Sequence, residues 1–318
     1  MALVSVLMPV FNAETCVKES VQSVLNQTLQ DFELIVVDDA STDNSLKSLS
    51  SFTDSRIKIL SLQENLGIAG ALNTGFAEAS GKYILRMDAD DVALPMRFER
   101  QVEYMETNPN IGLSGTLVEY FDGTLFNSPV ENAYLKPSLL LDCPFAHPSV
   151  IIRKEVMDKY GLVFSGYLED YQLWMNLSRI TDFGLLPEVL LKYRQSENQF
   201  TAQNFEKRRK EANKLRVQFA GFWLKRELTE EEKSIVSVGP SGQNQNLQEV
   251  GDLCMEFLRK DPWDCDNEVR RVVKKLFLRN FYRSSKDIRT SIQILKNGFL
   301  TVKERLDLIK KSHYALFE

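Results

Sequence analysis

The segment Val4–Asp39, with the sequence VSVLMPVFNAETCVKESVQSVLNQTLQDFELIVVDD, decides the fold of this chain. It contains two apolar runs, Val4–Met8 and Phe32–Val37, and between them an amphipathic stretch of helix length, Thr15–Leu25. Strands that are separated by a helix-length segment lie parallel in one sheet, with a right-handed crossover between them. The segment therefore predicts the first βαβ unit of an α/β protein.

The same alternation continues through the N-terminal half of the chain. Further strands are predicted at Ile57–Leu62 and Tyr83–Met87, and further helices at Asn44–Phe52, Ile68–Ala79 and Pro95–Met105. Strand patterns recur at Ile111–Val118, Ser149–Arg153 and Leu185–Tyr193. We therefore expect a doubly wound, mainly parallel sheet that is flanked by helices.

The sheet pattern stops near Gln199, and the remaining chain has a helical pattern. A long helix is predicted over 206–227, a break rich in Gly, Ser, Gln and Asn over 238–244, and further helices over 247–317. The pattern predicts two domains. Residues 1–200 carry the sheet, and residues 201–318 form a C-terminal helical extension.

Carboxylates are concentrated in three short segments, each placed where an apolar run ends. They are Asp38-Asp39, Asp88-Ala89-Asp90-Asp91 and Glu169-Asp170. In a doubly wound sheet, ligands bind outside the carboxyl ends of the strands, so distant segments share one cleft. An Asp in such a place also caps the following helix, which is the alternative for Asp39 or Asp43. Three carboxylates in four residues repel one another unless a cation or several donors hold them, so the cluster predicts a cation and phosphate site.

Composition limits the class of protein and the kind of metal. The chain has 318 residues, 43% hydrophobic content and a net charge of −5, which suits a large globular domain with an appendage. No apolar run approaches the ~18 residues of a membrane span, and no signal sequence is recognisable, so we expect a cytoplasmic protein. With two histidines and four scattered cysteines, a metal must be bound mainly by oxygen.

Six ordered motifs resemble one enzyme family. They are Val4–Asn12, Gln22–Thr28, Val36–Asp43, Asn65-Leu66-Gly67, Met87–Asp91, and Glu169-Asp170 with Tyr193-Arg194. In collinear order over residues 3–200, they resemble a family 2 inverting glycosyltransferase of the GT-A fold, and most of all the bacterial members that build capsule, lipopolysaccharide or other surface polysaccharides. The resemblance implies an enzyme that moves a hexosyl or N-acetylhexosaminyl group from a nucleotide-sugar, with a UDP-sugar as the expected donor, to a hydroxyl of a glycan or lipid-linked acceptor.

The resemblance also assigns the nucleotide site. Asp39, with Pro9 and Phe11, matches the wall that holds uracil, where the carboxylate accepts the N–H of the base and the aromatic ring offers a stacking face. Phe11 fits a core position equally well. Asp88 matches the residue that meets the ribose, and Arg194 offers a fork of donors to phosphate.

Asp90 and Asp91 match the metal-binding part of the Asp-x-Asp motif. Hard carboxylate oxygens suit Mn²⁺ or Mg²⁺, which neutralises charge on the departing nucleoside diphosphate. Either residue fits the direct ligand, with Asp90 favoured. Many relatives have Tyr-Arg-x-His where this chain has Tyr193-Arg194-Gln195-Ser196. The histidine that faces the diphosphate or metal in those relatives is therefore absent, and Asn198, Gln199 or a water are candidates to replace it.

Asp170 matches the catalytic base of the family. An inverting transfer is a single displacement, so one carboxylate takes the proton of the attacking hydroxyl. Because Glu169-Asp170 stands just ahead of a predicted helix, Tyr171–Ser178, an acid favoured by the helix dipole is the structural alternative, and the two roles are compatible. His147 resembles a family position near the donor sugar or acceptor, although a lone histidine is more often structural, and Glu169 is a second candidate for substrate contact.

Two other functions fit parts of the sequence. Asp88-Ala89-Asp90 also fits the nucleophile motif of haloacid-dehalogenase-like phosphatases, although that motif ends the first strand of its fold rather than the fourth. A catalytically silent sugar-nucleotide-binding module is the second alternative. In the C-terminal extension, Val269–Lys286 predicts a basic amphipathic helix. Such a helix either makes peripheral contact with anionic lipid at the inner face of the membrane or packs its apolar stripe on protein. A nucleic-acid partner is not expected.

Overall fold

The computed structural model describes residues 2–126, 132–195, 205–237, 247–260 and 266–281. The strands within these ranges are β1 (Val4–Val10), β2 (Phe32–Asp38), β3 (Ile57–Ser61), β4 (Tyr83–Arg86), β5 (Val92–Ala93), β6 (Ile111–Tyr120), β7 (Ile151–Arg153) and β8 (Asp182–Tyr193). The helices are α1 (Val17–Leu25), α2 (Ser45–Leu49), α3 (Gly67–Ala77), α4 (Arg97–Thr107), α5 (Asn132–Ser138), α6 (Lys154–Tyr160), α7 (Glu169–Leu177), α8 (Phe205–Leu224), α9 (Glu230–Val236), α10 (Leu247–Arg259) and α11 (Asp266–Phe281). A 3₁₀ turn covers His147–Ser149.

The strands form one mixed sheet with the order β3-β2-β1-β4-β7-β6-β8-β5. Strand β1 runs parallel to both of its neighbours, β2 and β4, and β3 extends this parallel half. Strand β7 is antiparallel to β4 and β6, and β5 is antiparallel to β8. The expected doubly wound, mainly parallel α/β sheet is confirmed.

The central position of β1 explains its sequence. A parallel strand with a neighbour on each side is covered by helices on both faces, so it takes an apolar run rather than an alternating pattern. Six of the seven residues of Val4–Val10 are buried, and only Pro9 is half-exposed. Because β1 lies between β2 and β4, the loops that follow these three strands open at the same edge of the sheet.

Several features differ from the sequence expectation. The segment 132–138, which has no predicted element, is helix α5. Helix α6 was also not predicted, and it ends at Gly161 in the left-handed region with φ 59°. The third acidic segment, Glu169-Asp170, does not follow a strand, because it comes after α6 and a loop. The placement of this segment at a strand end was wrong, since its apolar residues belong to that loop and to α7.

The chain forms two compact units. The first contains Met1–Lys136 and Cys143–Asn204, and the second contains Pro137–Asp142 and the chain from Phe205 onward. The expected domain boundary at residues 200 and 201 lies outside the described residues. In the first unit, a core of buried side chains from β1, β2 and β4 packs against α1 and α4.

The second unit is helical in its described part. The indole N–H of Trp223 in α8 donates to the carbonyl oxygen of Phe257 in α10 at 3.2 Å, and the two rings pack edge to face. Helix α11 buries Val269, Val272, Val273 and Leu276, so the described side chains of its expected apolar stripe are covered by protein. Among the helices described here, none is long and apolar enough to cross a membrane. The remainder of the predicted tail, residues 282–317, lies outside the described residues.

Candidate active site

The loops after β1 and β2 are tied together by side chains. The Asn12 Oδ1 accepts from the Thr42 N–H at 2.8 Å, and the Ser45 Oγ accepts from the Ala13 N–H at 2.8 Å. Directly after Asp39 the chain turns at Ala40, which has a φ of 57°. A non-glycine residue in this region marks a constrained turn. These contacts fix the loop that carries Asp39.

Asp39 is buried and holds the start of α3. Its Oδ1 accepts from the Leu66 N–H at 2.7 Å, and its carbonyl oxygen accepts from the Asn65 amide at 3.2 Å. Near it, Phe11 is 51% exposed and Pro9 is half-buried. The core position considered for Phe11 is therefore wrong, because half of its side chain faces solvent. The uracil-wall role of these residues stays a prediction.

The acidic turn after β4 brings three carboxylates together. Oxygen atoms of Asp88, Asp90 and Asp91 all lie within 4.8 Å of one another. The turn is held by its backbone, because the Ser20 hydroxyl donates to the Ala89 carbonyl at 2.8 Å. Asp91 is fully buried, and its Oδ1 accepts from the Arg194 N–H at 2.9 Å. Its Oδ2 is buried without a hydrogen-bond partner among the described residues.

Crowding changes the protonation of this cluster. Burial, followed by the charge of Asp88, raises the pKa of Asp90 to about 6. Burial, with the charges of Asp88 and Asp90, raises the pKa of Asp91 to about 9. Carboxylates resist ionisation when they share a site without a counter-ion. Three clustered hard oxygen ligands, one with an unpartnered buried atom, fit a divalent cation such as Mn²⁺ or Mg²⁺.

Arg194 is engaged on several sides. Its Nε donates to the Asp90 carbonyl at 2.8 Å, and its Nη2 lies 2.6 Å from Glu19 Oε2. Its guanidinium also stacks over the ring of Phe121 at 4.2 Å. Arg194 is therefore joined to the acidic turn, and its phosphate contact stays a prediction. Ser196, at the position of the absent histidine, lies outside the described residues, as do Asn198 and Gln199, the candidates to replace that histidine.

Two buried arginines support the acidic turn and were not among the expected site residues. Arg86 at the end of β4 pairs with Asp88. Arg97 in α4 donates through Nη2 to the Arg86 carbonyl at 2.8 Å and through Nε to Gln101 at 2.9 Å. Both arginines are at most 2% exposed. A basic residue that ends an apolar strand next to three acids is a signal that could have identified Arg86, whereas Arg97 falls within an ordinary helical pattern.

The acidic pair Glu169-Asp170 forms the first turn of α7, which starts two residues earlier than predicted. Glu169 is buried, and its Oε1 lies 3.3 Å from His147 Nδ1. Asp170 is half-buried. Its Oδ1 accepts from the Tyr171 N–H at 2.7 Å, and the Cys143 thiol lies 4.0 Å from its Oδ2. Burial raises the pKa of Glu169, but its hydrogen bond with His147 and the nearby charge of Arg86 outweigh this effect and leave the pKa below the usual value.

The charge of Arg86 therefore acts on both parts of the site. It influences the protonation of Glu169 as well as that of Asp91. The Arg86 N–H also donates to the Val150 carbonyl at 3.1 Å, directly after the 3₁₀ turn whose His147 contacts Glu169, so the start of α7 lies near the end of β4 although the two are far apart in sequence. The structure brings the acidic turn, Arg194, His147 and Glu169-Asp170 to the same part of the first unit.

Comparison with known proteins places this arrangement in a family. The family model described as Glycosyl transferase family 2 matches residues 5–161. The UDP-Glc:alpha-D-GlcNAc-diphosphoundecaprenol beta-1,3-glucosyltransferase WfgD of Escherichia coli is 32% identical over 209 residues, which cover 64% of this chain and 81% of that protein.

Two solved structures are similar in fold. The S. aureus TarS fragment 1–349 in complex with UDP-GlcNAc has a TM-score of 0.62 at 17% identity, and the match covers 88% of this chain and 89% of that chain. The mannosyltransferase PcManGT from Pyrobaculum calidifontis, in complex with GDP-Man and Mn²⁺, has a TM-score of 0.56 at 14% identity, and the match covers 100% of this chain and 81% of that chain. The expected GT-A fold is confirmed.

Proposed function

Because the chain belongs to glycosyl transferase family 2, we propose that it is an inverting, metal-dependent enzyme that transfers a sugar from a UDP-sugar to a hydroxyl group. The observation that carries this proposal is the clustering of Asp88, Asp90 and Asp91 at the end of β4, with Asp170 on a separate element, the first turn of α7. The three clustered carboxylates suit a cation that binds the donor diphosphate, and the separate carboxylate of Asp170 suits the acceptor hydroxyl.

The donor side of the proposal rests on Asp39 and the acidic turn. A carboxylate that is fixed by backbone contacts, such as Asp39, is ready to accept the N–H of a uracil ring. Phe11 is exposed beside it and offers an aromatic face. We propose a hexosyl or N-acetylhexosaminyl donor, which agrees with the UDP-Glc named for WfgD and the UDP-GlcNAc bound to TarS.

The metal side of the proposal rests on Asp90 and Asp91, with Asp88 next to them. Mn²⁺ or Mg²⁺ at these oxygens would neutralise negative charge on the leaving nucleoside diphosphate. Asp91 offers a buried oxygen without a hydrogen-bond partner among the described residues, whereas Asp90 is more accessible. Arg194 holds the Asp90 carbonyl and so keeps both carboxylates oriented.

The acceptor side of the proposal assigns the general base to Asp170. Its carboxylate stands in the first turn of α7, where the helix dipole favours the ionised form that a base requires. Asp170 takes the proton of the acceptor hydroxyl as that oxygen attacks the anomeric carbon. One displacement then inverts the configuration at that carbon.

The comparisons do not favour a phosphatase. Asp88 follows the fourth strand of the sheet, and the family match is to transferases. For the acceptor, we propose a lipid-linked saccharide in bacterial surface-polysaccharide synthesis, because WfgD is named for a diphosphoundecaprenol acceptor. Peripheral contact with the inner face of the membrane would then use the exposed basic residues Arg270, Arg271 and Lys275, since the described apolar residues of α11 are buried.

The test is a transfer assay with UDP-, GDP- and dTDP-sugars, Mn²⁺ and undecaprenyl-type or saccharide acceptors. We expect turnover with a UDP-sugar and an inverted anomeric configuration in the product, determined by NMR. Asp170→Asn should keep UDP affinity and lose turnover by a factor on the order of 10² to 10⁴. Binding of a UDP-sugar without transfer or hydrolysis by the wild type would instead support the silent binding module.

A further inference from the structure

We propose that Glu169 is a positioning residue, which fixes the orientation and the electrostatic environment of Asp170 through its buried contact with His147 and the nearby charge of Arg86. The proposal rests on the role of Asp170 as general base. It differs from a substrate contact of Glu169 because the side chain of Glu169 is engaged inside the protein.

The contact with His147 anchors Glu169. The Nδ1 of His147 and the Oε1 of Glu169 are 3.3 Å apart, and the two side chains are 8% and 7% exposed. The imidazole is itself confined by two aromatic rings, with centroid distances of 6.0 Å to Phe164 and 5.7 Å to Trp174. Trp174 belongs to α7, the helix that begins at Glu169. His147 therefore touches this helix at two places and fixes the rotation of its first turn.

Arg86, whose N–H donates to the Val150 carbonyl at 3.1 Å directly after the turn that carries His147, supplies a positive charge near Glu169. It is 2% exposed and pairs with Asp88, and its charge also acts on Glu169 and Asp91. Arg97 is the second cation near it and contacts its carbonyl oxygen. Among the described residues, the titratable or charged groups that act on Glu169 include His147 from the 3₁₀ turn and Arg86 from β4. A buried carboxylate is tolerated when such partners compensate its charge.

Asp170 follows Glu169 in the first turn of α7, so its position depends on the contacts that hold Glu169. Its contacts include the Tyr171 N–H and the Cys143 thiol. A shift of the helix start of about 1 Å is enough to cost a misaligned catalytic group on the order of 10²-fold in rate. The charges also act at a distance. A negative neighbour makes it harder for a carboxylic acid to ionise, and a positive neighbour makes it easier.

The experiment compares Glu169→Gln, Arg86→Met and the double variant with the wild type at saturating Mn²⁺ and donor. Glu169→Gln keeps the shape but removes the negative charge. We expect unchanged UDP affinity by calorimetry, a loss of kcat on the order of 10- to 100-fold, and an acid limb of the pH–rate profile that moves down by on the order of 1 pH unit. Arg86→Met should move the acid limb in the opposite direction. The double variant should return it close to the wild-type position.

Controls separate this proposal from a loss of folding and from a failure of the proposed function. Arg86→Lys keeps the charge and should leave the acid limb in place, and melting temperatures report the fold of each variant. If both single variants move the acid limb in the same direction or not at all, the positioning role is wrong. If Glu169→Gln raises the donor KM with kcat unchanged, Glu169 is a substrate contact instead. Turnover that persists in Asp170→Asn would show that Asp170 is not the general base. That result would overturn both the base assigned in the proposed function and the positioning role of Glu169.

Discussion

Protons and metal ions should compete for the acidic turn after β4. Asp90 has its pKa raised to about 6 and Asp91 to about 9, in each case first by burial and then by neighbouring carboxylates. A cation binds the ionised forms, so binding must release the protons that these groups carry. Between about pH 6.5 and pH 8.5, Asp90 is mostly ionised and Asp91 is mostly protonated. Each Mn²⁺ should then release about one proton.

The size of the effect follows from this count. One proton released per ion makes the Kd for Mn²⁺ fall about tenfold per pH unit, or about 1.4 kcal/mol. Over two units the affinity should therefore rise about a hundredfold. Below about pH 6, where Asp90 also carries a proton, the slope should steepen toward two protons.

Stability of the metal-free protein should change in the opposite sense. A carboxyl group whose pKa is raised by folding stabilises the fold at pH values below its unfolded value, and this contribution is lost as pH rises through the folded value. Asp90 loses it through about pH 6 and Asp91 through about pH 9. We therefore expect the gain in melting temperature from Mn²⁺ to grow with pH.

The assay is titration calorimetry with Mn²⁺ in two buffers of different ionisation enthalpy, which counts released protons directly. Asp91→Asn is the matched control, because its amide oxygen can still accept the Arg194 N–H while the titrating group is lost. In this variant the slope should flatten by about one proton. A Kd that stays constant between about pH 6.5 and pH 8.5, with no buffer dependence of the enthalpy, would refute the reasoning.

Three further predictions concern the donor, the metal and the C-terminal helices. Asp39→Ala should weaken UDP binding but leave turnover at saturating donor largely unchanged. It should also lower the melting temperature, because the Leu66 N–H loses its acceptor. Unchanged UDP affinity in calorimetry would contradict the uracil role. Asp90→Ala should remain folded by circular dichroism yet lose the increase in UDP affinity that Mn²⁺ gives, whereas Asp122→Ala, an exposed acid in a hairpin turn, should keep it. The full chain should co-sediment with anionic but not neutral vesicles in a salt-sensitive way. Replacement of Arg270, Arg271 and Lys275 by Gln should reduce this binding. Equal binding of the wild type and the triple variant would exclude these residues of α11 as the membrane contact.

The sheet could be predicted from sequence because its signals are local. Apolar runs such as Val4–Met8 and Phe32–Val37 appear as strands in the structure with ends that differ by one or two residues. Helix α5 could not be predicted in this way, because its short segment contains Pro137 and carries no clear apolar stripe. Its buried residues Tyr134 and Leu135 gain their helical conformation through packing. Tertiary contacts commonly override local propensity in such short elements.

The candidate site was predictable to a similar extent. Acids such as Asp90 and Asp91 are visible in the sequence because they follow one another at a strand end. The fully buried state of Asp91 is not visible, since it depends on Arg194, which directly follows β8 about a hundred residues later. The pairing of His147 with Glu169 is equally non-local. Sequence motifs thus indicate which groups take part, whereas their protonation depends on neighbours that only the fold brings near.

The charges around the acidic turn explain how the fold can form before a cation binds. Arg86 pairs with Asp88. The backbone N–H of Arg194 donates to the Asp91 carboxylate, and its guanidinium donates to the backbone carbonyl of Asp90. Protons satisfy what remains, because Asp91 stays neutral up to about pH 9. A metal ion would replace those protons rather than supply a missing structural bond. The cation is therefore expected to control donor binding and departure of the nucleotide while leaving the architecture of the sheet unchanged. Buried guanidinium groups allow this, because they stabilise the acidic turn when no cation is bound.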